Sequence, residues 1–227
     1  MTVPLHFHTI TELAPLIAAG RVSSEALTRG CLQEIEAHDR ALGAFITVLG
    51  ASAIAQAREL DAEIAAGVCR GPLHGIPISL KDLIDQQGVP TTAASRVREG
   101  HVAAGDAPVT ARLRAAGAVL LGKTNLHEFA FGTTSDDSAF GAVRNPHDPS
   151  RSPGGSSGGS AVGIVTGMSV ASIGTDTGGS IRIPSAACGT VGLKPTWGEV
   201  PCDGVVPLSP SLDHVGPLAR SVADAWL

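Results

Sequence analysis

Hydrophobic and polar positions change rhythm about a third of the way along the chain. Before that point apolar residues recur at helical spacing: Leu27, Cys31 and Ile35 follow every fourth residue, and Ile54, Ala57, Leu60 and Ile64 share one face. Thr11 and Ser23 stand at the head of the first two helical stretches and predict their N-caps. A third helix is predicted after "AFITVL". Beyond it come short apolar runs, "GIPISL", "AVLLG", "SVASIG" and "TVGLKP", separated by helical or loop stretches such as "APVTARLRAAG" and "HEFAFG". That alternation predicts an α/β fold, a mixed sheet flanked by helices. At the end of the chain, "RSVADAWL" starts a helix with Ser221 and Asp224 at capping-box spacing and then stops. A helix that short is marginal alone, so the sheet is expected to be incomplete at the C-terminus.

Composition sharpens the picture. With 227 residues, 43% of them hydrophobic and 16% charged, the chain is long enough for one globular domain and too apolar for disorder. No internal repeat or linker divides it. The net charge of −5 comes from interspersed signs, and no run of Lys or Arg could track successive phosphates, which argues against direct nucleic-acid binding. Attraction to a membrane surface has equally little support. The opening "MTVPLHFHTI" lacks a basic stretch followed by an apolar core, and Cys31, Cys69, Cys188 and Cys202 form no CxxC pair, so free thiols and a cytoplasmic location are expected.

Charge also frames the most unusual region. From Ser152 through Thr175 there is no charged residue, and "RSPGGSSGGSA" opens this span. A Gly/Ser run between polar surfaces is ordinarily a flexible tether. Here it continues into "AVGIVTGMSVASIGTDTGGSIRIPS", which reads as closely packed backbone, with glycine where no side chain fits. The span is too rich in Gly, Ser and Thr for a membrane segment.

Two short motif matches mislead. "GAVLLGKT", Gly117 to Thr124, fits the pattern of a phosphate-binding loop, but its order is helix, turn, strand, whereas phosphate cradling needs strand, loop, helix. "GGSSG", Gly154 to Gly158, fits a nucleophile elbow, yet an irregular proline-rich loop precedes it in place of a strand. None of His74, His127, His147 or His214 has a spacing that singles it out as a base. His6 and His8 read as solvated, and no His, Cys or carboxylate cluster has metal-ligand spacing.

Three stretches remain: "GIPISLKD" with Lys81, "SPGGSSGGSA" with Ser156, and "GTDTGGSIRIPSA" with Ser180. In this order, and followed by "CGTVGLKPTWG" and "SLDHVGPLARSVADA", they closely resemble the amidase signature family of serine amide hydrolases. The resemblance runs from about Thr11 to Leu227 and is strongest from Pro72 to Arg220.

It implies a Ser–cisSer–Lys triad with Ser180 as nucleophile, Ser156 as proton relay and Lys81 as base. It also implies an oxyanion hole from backbone amides around Thr177, Gly178 and Gly179, a cis peptide joining Gly155 to Ser156, and supporting roles for Gly155, Ser157, Asp176 and Arg182. Lys81 must be neutral to accept a proton. Lowering a lysine pKa from about 10.4 toward 7 to 8 corresponds to roughly 4 kcal/mol of environmental bias, which burial can supply. Strand alternation at "ISLKD" should turn Asp82 away from it.

The activity implied is hydrolysis of a small-molecule amide through an acyl-serine, with neither cofactor nor metal. Family members normally continue for about as long again, so residues 1–227 are expected to be the N-terminal portion of a single amidase-signature domain. Two alternatives follow from the same residues. One is the A subunit of a glutamine-dependent aminoacyl-tRNA amidotransferase, and the other is a non-catalytic remnant that needs a partner, a missing C-terminal half or a second copy of itself.

Overall fold

A computed structural model describes residues 3–227. Helices dominate the first part of the chain: α1 (Ile10–Ala18), α2 (Ser24–Leu42) and α3 (Gly50–Ala65), with the short strand β1 (Phe45–Val48) between the last two. Ser23 caps α2 through the Ala26 amide, as expected. The cap of α1 is Thr9 and not Thr11. The Thr9 side chain accepts from the Glu12 amide while the Glu12 carboxylate accepts from the Thr9 amide, a reciprocal box that the T-x-x-E spacing allows and that Thr11 cannot form.

The remaining elements are β2 (Pro77–Lys81), α4 (Pro108–Ala115), β3 (Val119–Thr124), α5 (Gly158–Val165), β4 (Ala171–Asp176), α6 (Arg182–Cys188), β5 (Val191–Gly192), β6 (His214–Ala219) and α7 (Val222–Trp226). The six strands form one mixed sheet in the order β1-β3-β2-β4-β6-β5. Its centre is parallel, β3 with β2 and β2 with β4, and the outer pairings are antiparallel. The central strands are buried along their whole length, which is why they read as continuous apolar runs. The α4-to-β3 order agrees with the rejection of a phosphate loop at Gly117–Thr124. "HEFAFG" forms only a single 3-10 turn, Glu128–Ala130, with Phe129 at a φ of 51°.

Two clusters make the core. One joins Leu13, Leu27, Leu60, Leu80 and Leu121 under the first four helices, and the other joins Phe45, Val162, Ile164, Ile181 and Leu218 around α5 and α6. A third apolar region is open: Ile78, Ile173, Val215, Leu113 and Trp226 line a cavity of about 610 Å³, and Trp226 is 83% exposed at its rim.

Candidate active site

In a parallel sheet, chemistry collects beyond the carboxyl ends of the strands, where loops and helix starts converge. Lys81 is the last residue of β2 and Asp176 the last of β4. The structure brings Lys81, Ser156, Ser157, Asp176 and the Thr177–Ser180 turn together at that end of the sheet.

Lys81 is wholly buried. Its Nζ donates to Ser156 Oγ at 2.7 Å and to Thr175 Oγ1 at 2.8 Å. Among the described residues no carboxylate lies within ion-pairing distance of it, in contrast to Lys123, which pairs with Asp82 at 3.4 Å. Burial pulls the Lys81 pKa down to about 7, only partly opposed by the fields of Asp176 and Asp213. Asp82 does turn away: its carboxylate accepts from the Thr92 amide and hydroxyl and faces Lys123.

Ser156 is also wholly buried, in the loop ahead of α5, and the Gly155–Ser156 peptide is cis. Its carbonyl accepts from the His127 amide and the Ser135 hydroxyl. Ser157 links the two serine segments, its amide donating to Ser180 O at 3.1 Å and its hydroxyl to Thr175 O at 3.2 Å. Ser180 is 6% exposed. Among the described residues its hydroxyl makes no hydrogen bond with that of Ser156, whose partner is Lys81.

The turn from Thr177 to Ile181 is folded around Asp176. That carboxylate accepts from the amides of Gly179 at 2.8 Å and Ile181 at 3.1 Å, and forms a two-pronged pair with Arg182 at 2.9 and 3.0 Å. Burial alone would raise its pKa, but Arg182 and the surrounding amides hold it below the ordinary carboxylate range. Of the three residues expected to supply oxyanion donors, Gly179 thus has its amide committed to Asp176. The Gly178 and Ser180 amides have no partner among the described residues. A Cβ on Gly178 would meet nothing within 4 Å, so that side of the turn is open to an incoming group. The Thr177 hydroxyl donates to Asp213, which also gathers the Leu208 and Ser209 amides.

Sequence reasoning missed Thr175, Ser135 and Asp213. Thr175 lay within the quoted "GTDTGGS", beside Asp176, but strand alternation alone would have turned it to the face away from Lys81. Ser135 and Asp213 sit in segments with no periodic pattern, and only the fold brings them here.

An amidase family model matches residues 26–227, and the chain belongs to that family. The A subunit of the glutamyl-tRNA(Gln) amidotransferase of Anaeromyxobacter sp. (strain K) is 52% identical over 96% of this chain and 44% of the relative. The peptide amidase of Stenotrophomonas maltophilia is 46% identical with a TM-score of 0.90, over 96% of this chain and 46% of that one. The A subunit of the Thermotoga maritima glutamyl-tRNA(Gln) amidotransferase is 38% identical with a TM-score of 0.83, covering 99% and 46%. The chain therefore spans about half the length of the relatives it matches. The family resemblance and the mixed sheet expected from sequence are both borne out. No helix among the described residues is long and apolar enough to cross a membrane.

Proposed function

We propose that this chain carries the nucleophilic half-site of an amide hydrolase working through an acyl-serine. Ser180 attacks the carbonyl of a small-molecule amide; its proton passes through Ser156 to neutral Lys81 and then to the departing amine; water releases the acid by the same route. The developing oxyanion is received by amides of the Thr177–Ser180 turn, those of Gly178 and Ser180 having no partner among the described residues. No metal or cofactor enters these steps. Gly155 and Ser157 shape the relay, and Asp176 with Arg182 sets the turn.

One observation carries this reading: a buried lysine with no carboxylate in ion-pairing distance among the described residues, its pKa pulled to about 7, with its Nζ 2.7 Å from a serine hydroxyl. Leaving such a group unpaired in a core is costly, and a proton acceptor matched to neutral pH is the use that justifies it. In this proposal residues 1–227 form the N-terminal portion of a single amidase-signature domain, acting in the cytoplasm. Four free cysteines suit that reducing compartment.

Relatives 48–52% identical that are named as the A subunit of glutamyl-tRNA(Gln) amidotransferase favour a second reading, in which the same triad releases ammonia from glutamine only when its partner proteins are present.

Intact-mass detection of labelling by a serine-directed fluorophosphonate tests the first reading. A single adduct on the 227-residue chain, lost in Ser180→Ala and Lys81→Ala, is the expected result. No adduct on a folded chain overturns it for this chain acting alone. Glutaminase activity that appears only on adding the other amidotransferase subunits supports the second.

A further inference from the structure

Ser135 belongs to none of the three segments that compose the site, yet it is wholly buried against one of them. Its backbone sits at a φ of 57°, a left-handed conformation that serine seldom adopts without cause. A hydroxyl has one proton to give and lone pairs to receive. Ser135 uses both capacities on the same short stretch. Its Oγ donates to Ser156 O at 3.1 Å and accepts from the Gly158 amide at 3.1 Å. A second donor, the His127 amide, reaches the same Ser156 carbonyl at 3.2 Å.

The fit is close on both sides. A Cβ at Gly155 would stand 2.7 Å from Ser135 Oγ, and one at Gly158 would stand 2.5 Å from it. Two glycines of the "GGSSGG" run are therefore small because Ser135 must approach. Holding the peptide plane after Ser156 anchors its Cα and narrows the range of its Cα–Cβ bond, the bond that carries the hydroxyl to Lys81.

We propose that Ser135 is a positioning residue, whose hydroxyl grips the backbone on the C-terminal side of Ser156 and so aims the Ser156 hydroxyl at Lys81. The consequence for rate rests on the amide-hydrolase reading above. The positioning itself does not.

The chain has three lysines, Lys81, Lys123 and Lys194, so a protein labelled at lysine side chains with 13C and 15N gives three resolvable sets of signals, assigned by substitution. Ser156→Ala, which deletes the hydroxyl partner of Lys81, defines the displaced position of the Lys81 signal. Ser135→Ala and Ser135→Gly both remove the Ser135 hydroxyl, and glycine also suits the left-handed backbone and protects against misfolding. The expected result is that both variants move the Lys81 signal at least halfway to its Ser156→Ala position, while the signals of Lys123 and Lys194, neither of which contacts Ser135 or Ser156, stay in place. An unmoved Lys81 signal in a folded variant overturns the proposal. So does a common shift of all three lysines, which marks general loosening. Fluorophosphonate labelling is run in parallel. If the parent chain labels at Ser180, both variants should label at least tenfold more slowly, and an unchanged rate also overturns the proposal. If the parent does not label, the hydrolase reading fails for this chain, and the lysine spectra still decide the role of Ser135.

Discussion

Lys81 concentrates the energetic peculiarity of the molecule in one side chain. Its folded pKa of about 7 lies well below the ordinary lysine value near 10.4. Between these two pH values the unfolded chain holds a proton that the folded chain does not, so this group makes stability rise with pH across that window; below about pH 7 its penalty is constant. Lys81→Met should remove the penalty, stabilising the protein near pH 7 by about 1–4 kcal/mol, with the advantage shrinking toward pH 10. Thermal melts of both proteins at pH 7 and 9.5 check this. The labelling rate of Ser180 should rise through a single ionisation near pH 7 and then level, which a pH series reads directly. Asp176 is the opposite case, a carboxylate held charged by Arg182 and three amides. Asp176→Asn keeps the shape but turns an NH2 group toward those donors, and should cost on the order of 3 kcal/mol in a denaturant titration.

Among the elements, α5 tells most about why the Gly/Ser run exists. Gly159 lies so near the strand ends that a Cβ would stand 2.3 Å from Ala44 O and 2.5 Å from Asn125 O, both backbone atoms. Gly163, one turn on, has its nearest neighbour at 3.4 Å, an ordinary contact. Gly159→Ala should destabilise by about 1–3 kcal/mol through overpacking, whereas Gly163→Ala should be neutral or stabilising by up to about 1 kcal/mol, because alanine is the better helix former. Unfolding midpoints of the two single variants separate these outcomes. The same element marks what sequence could reveal. The absence of charge from Ser152 to Thr175 foretold buried, closely packed backbone, and the apolar runs foretold β2, β3 and β4. β6 was missed because "HVGPLA" carries a glycine and a proline, residues that argue against an interior strand. It is held by pairing with β4, which no local pattern encodes. Likewise Lys81, Ser156 and Ser180 stood out through their composite motifs. Ser135 and Asp213 became visible only when segments tens of residues apart were brought into contact.

At the scale of the whole molecule, the last helix and the first are fastened to each other. The Asp224 carboxylate, in α7, accepts from the amides of Ile10 at 3.0 Å and Thr11 at 3.0 Å, the first two residues of α1. The capping box expected at Ser221 is formed on one side only, Ser221 Oγ receiving the Asp224 amide at 3.0 Å, because the Asp224 side chain is engaged across the fold. Asp224→Asn should shorten the exchange lifetimes of the Ile10 and Thr11 amides in deuterium while leaving those of β3 unchanged. A ribosome, however, delivers residue 10 long before residue 224. The first helix must leave the exit tunnel with two of its leading amides unanswered and wait for the side chain that answers them, 214 residues further along the chain from Ile10. A stalled-chain force measurement should accordingly register the fastening of this first helix only after residue 224 has cleared the tunnel, however early the helical signals are written in the sequence.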